Sequence, residues 1–383
     1  MRPYGQRRKT AFGGRTRPPF VRKHWLTPAL MDFADGTFTR PSVATFHVGL
    51  PSYFAGELLT RYGVDVARFR PGGGIYMEGA RTNAESNSAA IVGTANGSVV
   101  ADNATAPDGS TVDADTFTAQ AAGESSSLVQ EGSSAFADSV DVAASIFCKR
   151  SGAWEAPFPN AFGRNKASVV TNASAFADVS GWQRGSAVFD AGVGISQVRA
   201  GYTQGATSGV WVAEGWGGQL EEGSFASSLI ETAGAAATRA GDRLTMPEAN
   251  IDPAFFTSPW EMRVVMTQSR AEQIAHGQTA TFVQSGTGSL DLVGVAANGD
   301  VDCYFGGGIS KVSGATWEAG DIISVRVNPA NGDLRVITPT QDLFDSTAAG
   351  GGWTPNDFAI GTDHGGVGPH FGTVYPPVAI SAV

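Results

Sequence analysis

Charge is scarce in this chain: Asp, Glu, Lys and Arg make up only 16% of its 383 residues. Exposed helices laced with Glu–Lys pairs need more than that, so a helical bundle is a poor fit and many short strands with many turns are expected. Cysteine is rarer still. Cys148 and Cys303 stand far apart, which excludes a disulfide framework and a zinc motif; both read as separate buried thiols. No stretch approaches 18 consecutive apolar residues, so no membrane-spanning helix and no membrane insertion is expected. The basic N-terminus lacks the apolar run of a secretory signal, and the chain reads as made in a cytoplasm and not exported by the usual route. Five histidines form no HExxH, and neither a GxSxG elbow nor a phosphate loop occurs, so no catalytic constellation and no cofactor are expected. The segment His364–His370, with Asp363 beside it, reads as a glycine-rich loop rather than a metal site. The Asp/Asn cluster from Asp102 to Asp115 could supply oxygen ligands to a structural Ca²⁺; a solvated turn is the plainer reading.

What is present is apolar, small and turn-forming. Hydrophobic residues reach 42%, and there are 50 glycines. The length predicts two or three domains with sizeable cores, and the fold class is all-β. Ser139–Lys149 alternates Val140, Val142, Ala144, Ile146 and Cys148, a strand with one buried face. Asn298-Gly299 and Asn331-Gly332 are expected to form type I′ hairpins. The only helical candidates are the stretches around residues 55–62 and 269–277. Glu221 and Glu222 are neighbours on a strand and face opposite ways, which does not make an acid/base pair.

Charge sign divides the chain. Residues 1–25 hold eight basic and no acidic residues, while the whole chain carries −10, leaving −18 on the remainder. Nucleic-acid binding is one reading of such an arm. The interspersed Tyr4, Phe12, Phe20 and Trp25 and four prolines favour instead an extended strap laid in a groove of another subunit. The candidate anchoring residues are Arg2, Arg7, Arg8, Arg15, Arg17, Arg22, Lys23 and Trp25. Four segments follow from the pattern: a basic extended arm at 1–31, a linker or attachment segment at 32–83, a jelly-roll domain at 84–245 and a second β-sandwich at 246–383. The linker shows no core-sized apolar set and is expected to pack on something larger. Tryptophan is the side chain to watch for sugar stacking. Trp154, in a Pro/Gly-rich stretch, is the best ligand-facing candidate, with Trp182 and Trp353 behind it; Trp211 and Trp317 read as core.

Three stretches carry a resemblance. They are "FTRPSVATFHV…GELLTRYGVDVARFRPGGGIYMEGARTN" from Phe38, "APDGSTVDADTF" from Ala106, and "VAEGWGGQLEEGSFASSLIETAGAAATRAGDRL" from Val212. In this order they resemble a pattern of tailed-phage and prophage virion proteins of the tail, fibre or head-spike type. Leu229 and Glu231 depart from it, standing where Tyr and Pro are usual. Residues 255–383 resemble a concanavalin-like or laminin-G-like sandwich. The resemblance implies a virion protein anchored through residues 1–83 to capsid, portal or tail subunits, homo-oligomeric, with host surface glycan as a further partner. It also implies that Glu78, Arg81, Asn83 and Arg239 form a structural junction between the N-terminal segment and the jelly roll. A non-binding decoration protein and a carbohydrate-active enzyme are the alternatives.

Overall fold

The structure is a computed structural model. It describes residues 29–42, 44–46, 59–69, 74–89, 93–95, 97–109, 113–119, 127–131, 136, 141–154, 160–165, 170–175, 181–189, 195–201, 211–223, 225–275, 279–285, 292–305, 308–346, 353, 357–360 and 372–381. The basic arm before Ala29 and the His364–His370 loop lie outside the described residues. The fold is all-β, as expected, and every strand pairing in it is antiparallel. Among the described residues the α-helices are single short turns, Ala254–Thr257 and Arg270–Ala275.

The smaller sandwich has two five-stranded sheets. One runs Val170–Ala175, Asn160–Asn165, Ile195–Gly201, Ser127–Glu131, Gly93–Ala95. The other runs Trp182–Phe189, Val142–Trp154, Trp211–Glu222, Ala114–Ala119, Gly97–Ala104. The alternation read at Ser139–Lys149 falls in the central strand Val142–Trp154, which is buried from Val142 to Cys148. Its Phe147 packs with Trp182, Trp216 and Leu229 in a small core.

The larger sandwich pairs a seven-stranded with an eight-stranded sheet. Alternation sets its inward faces. In Ile322–Asn328 and Asp333–Ile337, Ile323, Val325, Val327, Leu334 and Val336 are all buried, while their neighbours are more exposed. Each such residue contributes roughly 1.5–3 kcal/mol on burial.

The expected domain boundaries need correcting. The cut between 245 and 246 falls inside the strand Arg243–Met246, which sits in the seven-stranded sheet between Thr37–Thr39 and Phe358–Ile360. Nor is 32–83 a linker without a core. Ile75–Met77 pairs with both Arg68–Phe69 and Gly372–Val374 in the eight-stranded sheet. Leu30, Met31, Phe33, Ile75 and Met77 belong to the larger core. The larger sandwich is therefore built from both ends of the chain, with the smaller sandwich inserted between Asn83 and Ala237.

The turns also differ from expectation. Gly299 has φ +77° and Gly332 φ +78°, but neither Asn298 nor Asn331 has positive φ. These are longer loops that close with a glycine in the left-handed region, not two-residue type I′ turns, because the ladders end at Val295/Val301 and at Asn328/Asp333. The C-terminal stretch is two strands, Gly372–Val374 and Val378–Ala379, separated at Pro376-Pro377, where no N–H is available for a ladder.

Candidate functional site

Where the two sandwiches meet, the chain crosses from Ile75–Met77 into Arg81–Asn83, which pairs with Ala237–Arg239 in the register Arg81 opposite Arg239. Glu78 falls between these strands and is fully buried. A carboxylate there must be paired, because an isolated buried charge is prohibitively costly. It is paired several times. One oxygen, Oε2, accepts from Arg68 Nη1 at 2.7 Å and from Arg239 Nη1 at 2.8 Å, and also from the Ser228 hydroxyl. The other, Oε1, accepts from the Ser228 amide at 2.7 Å.

Asp242 completes the cluster. It accepts from Arg68 Nη2 and, at 3.1 Å, from Arg40 Nη1. Asp242 and Glu78 are tied twice more: the Glu78 amide donates to the Asp242 carboxylate at 2.9 Å, and the Asp242 amide to the Glu78 carbonyl at 2.7 Å. Arg40 also donates to the carbonyls of Ser42, Gly63 and Val66, and Arg239 to that of Gly79. The side chains of Arg40, Arg68, Arg239, Glu78 and Asp242 are all at 0% exposure in these ion pairs.

A second buried group adjoins the first through Ser227-Ser228. Glu221 accepts from the Ser227 amide and hydroxyl and from Gln219 Nε2, each at 2.7 Å. Glu222, its neighbour, is exposed, so the opposite-face reading holds. Asn83 uses all its amide capacity: it donates to the carbonyls of Gly218 and Ile230 and accepts from the amides of Leu220 and, two residues on, Glu85. Arg81 lies at the rim, donating to the Glu222 carbonyl with its guanidinium 5.1 Å from the Phe225 ring centre. Arg184, buried in the smaller sandwich, donates to the Ser227 carbonyl at 2.6 Å and the Ser145 hydroxyl at 2.8 Å.

Burial alone pushes the Glu78 carboxyl up. The guanidiniums of Arg239 and Arg68 and the two Ser228 bonds overcome this and hold it well below the usual carboxylate range. Arg68 shows the mirror effect: burial lowers it, and Glu78 and Asp242 more than offset that. A permanently ionised acceptor tied to two arginines is the opposite of a general acid, whose pKa must be raised. The cluster ties Arg40, Arg68, Glu78, Ser228, Arg239 and Asp242 together through buried ion pairs and hydrogen bonds.

The aromatic candidates are placed differently from expectation. Trp182 and Trp353 are 6% and 4% exposed. Trp182 fills the core of the smaller sandwich; Trp353 stacks on Phe358 at 5.4 Å and donates to the Tyr304 carbonyl. Neither presents a face to a sugar ring, because each is needed to fill its sandwich. Trp154 ends the strand Val142–Trp154, paired with Trp211, and is not in a loop; the side chains of both lie outside the described residues. Trp317 is core, as read, donating to the Gln268 carbonyl. Near the proposed calcium cluster, Asp115 accepts from the Asp102 amide and Asn103 from the Thr116 amide, so these oxygens stitch an irregular strand pair. No group of three metal-ligating side chains occurs among the described residues. Cys148 and Cys303 are buried and form no disulfide, and burial raises the Cys148 thiol far above its ordinary value.

Sequence reasoning singled out Glu78, Arg81, Asn83 and Arg239 but missed Arg40, Arg68, Gln219, Glu221, Ser227, Ser228 and Asp242. The signal was present: all seven lie within the first and third stretches that carry the resemblance. No protein-family model matches the chain, and no curated protein matches it.

Proposed function

We propose that this protein is a structural component of a phage or phage-like particle, held by its basic N-terminal arm, with the two sandwiches forming a rigid outward body. The observation that carries this reading is the convergence of the motif residues. "FTRPS" supplies Arg40, "ARF" Arg68, "EGARTN" Glu78 and Asn83, "QLEEGSFASS" Gln219, Glu221 and Ser228, and "TRAGD" Arg239 and Asp242. Residues up to 202 positions apart thus meet in one buried network. The motifs encode a rigid joint, which suits a body that must transmit force from a mount to an exposed end.

Mass spectrometry and cryo-EM of particles purified from the source cells test this. The protein is expected in the particles at fixed stoichiometry, with its arm between other subunits. Its absence from the particles, with all of it in the soluble fraction, overturns the reading. Within this reading, the burial of Trp182 and Trp353 favours a decoration role over glycan adhesion, which now rests on Trp154 alone.

A further inference from the structure

The tetrapeptide Ala-Asn-Gly-Asp occurs twice, at residues 297–300 and 330–333, and each copy closes a hairpin of the larger sandwich. Asn-Gly pairs are prone to spontaneous deamidation, because glycine has no Cβ to hinder attack by its own amide. The Gly nitrogen bonds to the Asn Cγ and ammonia leaves; water then opens the cyclic imide to Asp or isoaspartate. Asn298 and Asn331 are both exposed, so burial does not shield them. Hydrogen bonds engage the reacting groups instead. The nucleophile is held at both loops: the Gly299 amide donates to the Ala296 carbonyl at 2.8 Å, and the Gly332 amide to the Asn328 carbonyl at 2.9 Å. The leaving nitrogen is held as well. Asn298 Nδ2 donates to Asp300 Oδ2 at 2.7 Å, and Asn331 Nδ2 to Asp333 Oδ2 at 2.8 Å. The side-chain oxygen of each Asn accepts from the amide of the same Asp, at 3.2 Å in both loops. Each glycine is also pinned by a separate element: Arg270 Nε donates to the Gly299 carbonyl at 3.1 Å, and the Ser310 hydroxyl to the Gly332 carbonyl.

We infer that Asn298 and Asn331 are latent deamidation sites, and that Asp300 and Asp333 are the residues that hold them unreacted. Attack requires the Asn side chain to turn its Cγ onto the Gly nitrogen. That turn gives up the Nδ2 bond to the carboxylate and the Gly amide bond together. The reaction therefore proceeds from a locally opened loop, and the opening equilibrium sets its rate. Within the tetrapeptide, the carboxylate is the acceptor that a side chain supplies, so a substitution can remove it and leave the backbone bonds in place. This clamp is independent of the particle reading.

Site-resolved peptide mass spectrometry of the full-length protein, aged in mildly alkaline buffer, tests this. Unfolded in guanidinium chloride, Asn96, Asn298 and Asn331 should deamidate at similar rates, since each precedes a glycine. In the folded protein Asn298 and Asn331 should react at least about tenfold more slowly than when unfolded. Asp300→Ala should speed Asn298 by at least about threefold and leave Asn331 unchanged, and Asp333→Ala should do the reverse. Asp300→Asn and Asp333→Asn keep an acceptor for Nδ2 and should stay close to the unaltered protein. Each loop is the control for the other, because a variant that loosens the whole fold speeds both. Folded rates equal to the unfolded ones overturn the inference. So do Ala variants that leave their own Asn slow or speed both asparagines alike, and Asn variants as fast as the Ala ones.

Discussion

Glu78 is the residue on which the joint turns. Removing one partner of a buried ion pair leaves the others uncompensated, at a cost of about 3–5 kcal/mol. Glu78→Ala strands Arg68 and Arg239 and is expected to lower the urea-unfolding free energy by that amount; a loss below about 1 kcal/mol would mean the network behaves like exposed pairs. Acid tests the same group. Its folded carboxyl lies below the unfolded value of about 4.3, so its stabilisation is complete above that pH, shrinks below it, and disappears only beneath the folded value. The stability gap between the unaltered protein and Glu78→Gln should therefore match at about pH 7 and about pH 6 and narrow at about pH 3. Trp182 and Trp353 make a contrasting prediction. Each is packed in a core, so Trp→Ala should cost about 3–5 kcal/mol in a thermal or denaturant melt. A variant that keeps its stability would mean the ring is not part of the core.

At the scale of elements, the strands were legible and the turns only partly so. Period-two alternation in "SVDVAASIFCK" marked a strand because side chains alternate across a pleat whatever the partner strand is, but not its burial: both faces are buried from Val142 to Cys148, where one was expected. Asn-Gly marked where the chain reverses, but not how. Loop geometry depends on where the ladder ends, and that is set by the register of strands packed in the larger core. The glycines are nevertheless required. Gly332 at φ +78° should lose about 1–2 kcal/mol as Ala, the penalty of the left-handed region for an L-residue. Gly299→Ala should cost more, since its added Cβ would lie 2.8 Å from Ile274 Cδ1 and 2.9 Å from Arg270 Nε. Equal melting temperatures for the two variants would contradict that steric account.

The whole molecule is not a string of domains. The larger sandwich takes strands from residues 37–39 and 68–77 as well as from 243 onward, so a fragment of residues 246–383 lacks three strands of its own sheets and most of a fourth, Arg243–Met246. It also exposes the faces that Leu30, Phe33, Ile75 and Met77 cover. Expressed alone, that fragment is expected to be molten or insoluble, whereas residues 29–383 should melt in a single cooperative step. A well-dispersed amide NMR spectrum from the fragment would refute this.

Composition and local pattern determined the all-β class, the strands, the uneven charge and the presence of turns, because each depends only on neighbouring residues and on the amounts of apolar and charged side chains. The resemblance pointed at Glu78, Asn83 and Arg239 as a junction. Tertiary structure decided which carboxylate meets which guanidinium, that Trp182 and Trp353 face inward, and that the first strands close the last sandwich. These are contacts between residues up to about two hundred positions apart, and no local periodicity encodes them. They are selected only when the sheets assemble and every buried charge must find a partner.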